Sequence, residues 1–345
     1  MNPTIGYSNG FTKPKIAITT GDPAGIGPEI CNKVAKQVSD LEAFCVPVFL
    51  GDSAAFELLS HSNETAELTQ LSLADLADDP DFNSPSFVNF EIEKIDQISL
   101  GVASSCGGNA SYKYLKQAIQ WSLDGWIDAI TTGPINKLAL HKAGHHYPGH
   151  TEILAEETST DDFCMMQYSE EVTCSFVTTH VGYAEVPQLL SIERILDVIQ
   201  LSANAVRAIE NKEPKIVVCG LNPHAGEAGL FGNKEEERII VPAIQAALEK
   251  GLNIEGPFPP DTCFIPSRRA NTDCFICMYH DQGHIPLKAL VFDKAVNVTL
   301  GLPIVRTSVD HGTAYDIAGK NLANPTSMLH ALRLAAKLAH QRQQA

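Results

Sequence analysis

Three short apolar runs in this chain each end on a histidine. Cys174-Ser175-Phe176-Val177-Thr178-Thr179 ends on His180, residues 215–221 run through Asn222-Pro223 to His224, and residues 274–279 end on His280. Between the first two lies a stripe, Ile192, Ile195, Leu196, Ile199, Val206 and Ile209, spaced to make one face of a helix apolar. Strands alternating with helices build a mostly parallel sheet, and such a sheet gathers ligands at the carboxyl ends of its strands. The pattern predicts an α/β fold with His180, His224 and His280 meeting at that edge. Three neutral imidazoles with coordination positions left open suit a catalytic divalent metal. The isolated His61, His141, His330 and His340 are read as structural or exposed.

The residues after His280 extend the theme. His280-Asp281-Gln282-Gly283 sets a carboxylate beside the imidazole in a glycine turn, and Lys288, Asn297 and Arg306 follow. All three donate hydrogen bonds and two carry charge, which suits an anion. A formal net charge of -16 disfavours nucleic acid or an anionic membrane as partner. A small anion then needs a local positive site, for which Lys288 and Arg306 are the candidates. Asp281 and Asp261 are each open to three roles: support of a metal ligand, general base, or plain turn residue. From His311-Gly312-Thr313 to Gly319, small residues surround Asp316. A carboxylate there can bind ribose hydroxyls, as in dinucleotide sites, or simply shape a turn.

The remainder is scaffold. A length of 345 residues, 44% hydrophobic and 19% charged, fits two domains or one large α/β unit. Residues 15–20 read as a strand, and Gly21, Gly25 and Gly27 allow a tight turn into a helix over 29–38 begun by Pro28. That turn is equally readable as a ligand loop. A second strand is read at 46–50, a polar acidic surface at 60–96 with a turn at Asp78-Asp79-Pro80-Asp81, and a loop at 104–109 before a helix over 110–123. A strand over 127–131 and a helix over 328–338 after Asn324-Pro325 complete the elements, and Glu235-Glu236-Glu237 reads as a solvated helix face. Residues 1–15 lack the apolar core of a leader peptide, and the nine cysteines are scattered and odd in number. Cys274-x-x-Cys277 could be a redox or zinc pair but is read as two buried strand cysteines, since no second pair follows. A cytoplasmic protein is expected. No phosphate loop of the G-x-x-x-x-G-K-[ST] type and no Ser-His-Asp order is visible.

Several stretches together carry a specific resemblance. Gly21-Asp22-Pro23-Ala24-Gly25-Ile26-Gly27-Pro28-Glu29, Gly149-His150-Thr151-Glu152, residues 220–227, Tyr279-His280-Asp281-Gln282-Gly283 and residues 306–314 resemble the 4-hydroxythreonine-4-phosphate dehydrogenase family of vitamin B6 synthesis. The resemblance implies a two-domain fold like isocitrate and isopropylmalate dehydrogenases, with mixed, mostly parallel sheets. It implies a first, dinucleotide-side domain from residues 1–132 and 290–345 and a second, with the metal ligands and dimer interface, from 133–289, the active site lying in the cleft between them. It further implies metal ligation by His180, His224 and His280 across a homodimer, and substrate binding by His150, Thr151, Lys288, Asn297 and Arg306. His311 to Pro325 resembles an adenosine-binding loop, which makes His311, Gly312 and Asp316 cofactor candidates, and Asp261 and Asp281 are the catalytic candidates. The implied reaction is NAD- or NADP-linked oxidation of 4-phosphohydroxythreonine with one divalent Zn, Mg or Co ion, followed by decarboxylation. Threonate or erythronate 4-phosphate is the alternative substrate of the same family, and a phosphate-ester metallohydrolase the alternative of another class.

Overall fold

The computed structural model describes residues 12–59, 68–72, 83–292 and 294–344. Residues 1–11, His61 and the turn at Asp78-Asp79-Pro80-Asp81 lie outside them. The chain divides into two compact units, Met1–Thr160 with Leu302–Ala345, and Asp161–Gly301. The resemblance had implied changes of domain at 132/133 and 289/290, so both changes come later in the chain. On the first side, Leu140, Ile153 and Leu154 pack with Ala17, Leu115 and Ile130 of the first unit. On the second, residues 296–300 pair antiparallel with residues 164–168 of the second unit.

In the first unit the strands are β1 (Lys15–Thr19), β2 (Val46–Gly51), β3 (Thr69–Leu71), β4 (Ser86–Asn89) and β5 (Ala129–Thr132). The chain's return adds Val305–Ser308, numbered β12 because six strands of the second unit precede it. They lie in the order β3-β4-β2-β1-β5-β12, all parallel. Alternation along β1 sends side chains to opposite faces. Ile16 and Ile18 pack with Ile30 and Val34 of helix Gly27–Ala35 and with Met328 and Leu332 of helix Thr326–Gln344. Ala17 packs on the other face with Tyr114, Leu115 and Ala118 of helix Ser105–Leu123. That last helix corrects the expected loop at 104–109. Ser104 caps it, its Oγ accepting from Gly107 N at 3.1 Å. Gly108 is needed inside it because a Cβ there would lie 2.0 Å from the Ala139 carbonyl oxygen.

In the second unit the strands are β6 (Cys164–Tyr168), β7 (Cys174–Phe176), β8 (Ile216–Cys219), β9 (Ile254–Phe258), β10 (Cys274–Cys277) and β11 (Val296–Leu300). Their order is β11-β6-β7-β10-β8-β9. β7, β10, β8 and β9 run parallel, and β6 is antiparallel to both neighbours. The α/β class with mixed, mostly parallel sheets is therefore as expected. Helix Ile192–Glu210 buries Ile195, Val198, Ile199, Ala203, Val206 and Ile209, the predicted stripe with small shifts. Phe176, Val217, Cys219, Phe275, Cys277 and Leu287 form the core of this unit. All nine cysteines are free thiols. Among the described residues no helix is long and apolar enough to cross a membrane.

Candidate active site

β7, β10 and β8 are adjacent and parallel, so their carboxyl ends open on one edge of the second unit. His180, His280 and His224 follow those ends. His280 opens helix His280–Val291, preceded by Tyr279 in extended conformation. Its ring centre is 6.0 Å from that of His180. His280 Nδ1 donates to Asp281 Oδ1 at 2.7 Å, because an ionised carboxylate can only accept. The other Asp281 oxygen accepts from the Tyr183 hydroxyl. Tyr183 and then His280 hold the Asp281 carboxyl below the usual range. His284 stacks on His280 with centres 3.8 Å apart, and burial lowers its pKa to about 4.

His224 stands on an unusual piece of backbone. His224, Ala225, Gly226, Glu227 and Ala228 have φ values of 52°, 52°, 80°, 44° and 53°. A left-handed turn costs an L-residue about 1–2 kcal/mol at each position, and only Gly226 escapes that cost. Strain of this kind persists where surrounding structure enforces it, and it concentrates at functional sites. Within the turn, His224 Nδ1 lies 2.6 Å from Glu227 Oε2. Of the nearby acidic run, Glu237 is exposed as the sequence reading had it, but Glu235 is 3% and Glu236 2% exposed, contrary to it. Both carboxylates face inward because donors await them there, among them the side-chain amide of Asn222.

These donors fit a divalent ion. Imidazole nitrogens bind zinc at about 2.0–2.1 Å, so two rings on one ion have centres roughly 5–6.5 Å apart. The spacing of His180 and His280 lies within that range. In His224 and His280, Nδ1 is engaged with a carboxylate, which fixes the ring and leaves Nε2 as the nitrogen that could meet a metal. Among the described residues, however, no three His, Cys, Asp or Glu side chains of this chain are grouped to hold an ion. The structure thus brings His180 and His280 together without completing a three-histidine set. Asp261 is exposed in the short helix Pro260–Cys263. Lys288 is exposed on helix His280–Val291 with Nζ 5.9 Å from the Phe292 ring centre, and Asn297 is half-buried on β11.

The first unit holds the other substrate candidates. Arg306 on β12 is 2% exposed, and its Nη2 donates to Thr132 Oγ1 at 2.8 Å. Burial draws its pKa down to about 9, which still leaves it charged at neutral pH. His150 and Thr151 open helix His150–Glu157, whose N-terminus adds partial positive charge. Burial, reinforced by Arg306, holds His150 well below its ordinary pKa, so it is neutral. His150 Nε2 is buried and has no hydrogen-bond partner among the described residues. A buried cation, a neutral imidazole and a helix N-terminus together favour an anion.

The His311–Lys320 segment is pinned by the first glycine turn. Ile26 N donates to Thr313 O at 3.0 Å, and the Tyr315 hydroxyl donates to Asp22 Oδ2 at 2.6 Å. Asp22 is fully buried, and burial raises its pKa against the opposing pull of Tyr315 and Ala24 N. Lys33 Nζ reaches the carbonyls of Asn321 and Ala323 at 3.0 and 2.8 Å, while Glu29 accepts from the amides of the same two residues. Glycine is obligatory at Gly27, where a Cβ would lie 1.8 Å from the Thr20 carbonyl oxygen. His311 Nδ1 donates to Gly312 O at 3.0 Å, and Gly312 and Asp316 are exposed. The glycine turn therefore braces this segment. Asp22, Glu227 and Gln282 stood in the stretches that carry the resemblance but were given no role, Glu236 was read as solvated, and Tyr183 was not singled out. The i, i+3 spacing of His224 and Glu227 was a visible local signal.

Comparison with known proteins places the chain in a family. The model of the family "Pyridoxal phosphate biosynthetic protein PdxA" matches residues 43–335. A 4-hydroxythreonine-4-phosphate dehydrogenase of Trichlorobacter lovleyi is 46% identical, with 95% of this chain and 98% of the relative covered. A D-threonate 4-phosphate dehydrogenase of Cupriavidus necator is 40% identical with the same 95% and 98% coverage. The crystal structure of 4-hydroxythreonine-4-phosphate dehydrogenase from Klebsiella pneumoniae superposes with a TM-score of 0.81 at 39% identity, covering 95% of this chain and 100% of that one. The chain belongs to the PdxA family of pyridoxal phosphate biosynthetic proteins and is a dehydrogenase of that family.

Proposed function

We propose that the protein oxidises the C3 hydroxyl of 4-phosphohydroxy-L-threonine with NAD or NADP as acceptor. The product, 2-amino-3-oxo-4-phosphooxybutanoate, is a β-keto acid and loses carbon dioxide to give 3-amino-2-oxopropyl phosphate. The observation that carries this reading is the His180–His280 pair with Asp281 fixing one ring, in a chain that also buries a charged Arg306. His180, His224 and His280 would hold one Zn, Mg or Co ion, a Lewis acid that polarises the hydroxyl oxygen and stabilises the charge left by decarboxylation.

The chain's own residues then bind and orient. Arg306, Lys288 and Asn297 bind the phosphate, and remote binding energy of this kind positions the reacting carbon. His150 and Thr151 complete the substrate contacts, His150 as a neutral imidazole. Asp281 is committed to His280 and Tyr183, so its task is orientation, and Asp261 is the carboxylate left to take the hydroxyl proton. His311, Gly312 and Asp316 bind the adenosine end of the cofactor, where Asp316 favours NAD because a carboxylate repels a 2′-phosphate. A homodimer supplies the missing donor of the metal site, a role supported by the exposed apolar Tyr183, Leu230 and Phe231 near the histidines. With every cysteine a free thiol, the cytoplasm is the fitting compartment.

The second reading, D-threonate or D-erythronate 4-phosphate as substrate, is favoured by the C. necator relative. NADH formation by cation-loaded protein with the three phosphates side by side separates the two. Preferred turnover of the amino acid supports the first reading and preferred turnover of a sugar acid the second. Phosphate release without NADH would replace both with a hydrolase.

A further inference from the structure

Two buried polar side chains tie together the strand ends that carry His224 and His280. Gln282 is 7% exposed. Its Nε2 donates to the Gly220 carbonyl just after β8 at 2.8 Å, and its Oε1 accepts from Met278 N just after β10 at 2.7 Å. One neutral amide thus spans two parallel neighbours, and only a group with both a donor and an acceptor can do so. Glu236 grips the segment from the other side. Its Oε1 accepts from Leu221 N at 2.9 Å and Asn222 N at 2.7 Å, and its Oε2 from Asn222 Nδ2 at 3.0 Å. A Cβ on Gly226 would lie 2.7 Å from Glu236 Oε2, so the carboxylate fills the hollow of the left-handed turn.

We propose that Glu236 and Gln282 are positioning residues for divalent-cation binding, Glu236 by bracing the left-handed turn that presents His224, Gln282 by fixing the backbone that leads into that turn and the backbone that leads into His280. The inference rests on the metal reading above. A run of left-handed alanine, glutamate and histidine has no local reason to form. Glu236 takes its donors from Leu221 and Asn222, which lead into the turn, and lies against Gly226 within it. The arrangement keeps the exposed His224 ring in one place without touching it.

The test is Co²⁺ titration of the full-length protein by calorimetry, with near-UV circular dichroism to verify folding. Wild type, Glu236→Ala, Glu236→Gln and Gln282→Met are compared. Loss of support around a metal ligand weakens affinity about 10–100-fold, and that loss is expected for Glu236→Ala and Gln282→Met. Glu236→Gln keeps an oxygen for the Leu221 and Asn222 amides and is expected to retain most of the affinity. If Glu236→Ala does not fold, Glu236→Asp, which withdraws the oxygens by one methylene, is expected to show the same loss. Folded variants that bind Co²⁺ like wild type would overturn the positioning role alone. A wild-type protein that binds no divalent cation would overturn the metal reading with it.

Discussion

At the scale of single residues, burial sets the protonation of one histidine in each unit. His150 is held neutral by desolvation and by the Arg306 charge, and His284 by desolvation. Both have folded pKa values below the unfolded value of about 6.5, so the unfolded chain binds more protons between the two. Stability should therefore be level above about pH 6.5 and fall as pH drops below it, well before the carboxylates, near 4, begin to titrate. Urea denaturation across this range measures the slope. Replacing His150 with Asn should make it shallower, leaving the His284 share, even if the variant is less stable overall, and an unchanged slope would mean that His150 is not buried neutral. Asp281 shows the opposite device: its carboxyl is held ionised by Tyr183 and His280, ready to orient the ring.

Among the elements, the first glycine turn and the His311–Lys320 segment form one braced assembly. The Tyr315 hydroxyl joins the segment to the buried Asp22. Tyr315→Phe leaves that carboxylate short of a donor, which should lower stability by about 1–3 kcal/mol. If the segment binds the cofactor, the KM for NAD should rise while kcat changes less. Steady-state kinetics with NAD as the varied substrate tests this. A destabilised variant with an unchanged KM for NAD would remove the cofactor from this segment. The same assembly explains the misread loop at 104–109. Adjacent glycines looked like chain freedom, yet Gly107 and Gly108 are helical and small because Asp22 and the Ala139 backbone press against them.

For the molecule as a whole, the α/β framework was legible because apolar runs and helical stripes are local signals. Three strands were readable for that reason, although they stop at Phe176, Cys219 and Cys277, short of His180, His224 and His280, and so was the helix Ile192–Glu210. What stayed hidden depends on distant partners or on backbone form. Tyr315 and Asp22 meet across most of the chain's length. Glu235 and Glu236 looked solvated because charge is ordinarily exposed, and their donors lie in a preceding turn. The left-handed path through His224 and Ala225 was not visible, since neither residue favours it. Residue identities could nominate the histidines, whereas what holds them emerged only from packing. The central claim is that NAD reduction by this chain requires a divalent cation held by these histidines. The direct measurement is NADH formation from 4-phosphohydroxythreonine by chelator-treated protein before and after cation is restored, with His280→Asn alongside. The account predicts no NADH from the chelated protein, recovery on adding Zn²⁺, Mg²⁺ or Co²⁺, and no recovery for His280→Asn. Full turnover by the chelated protein would contradict it.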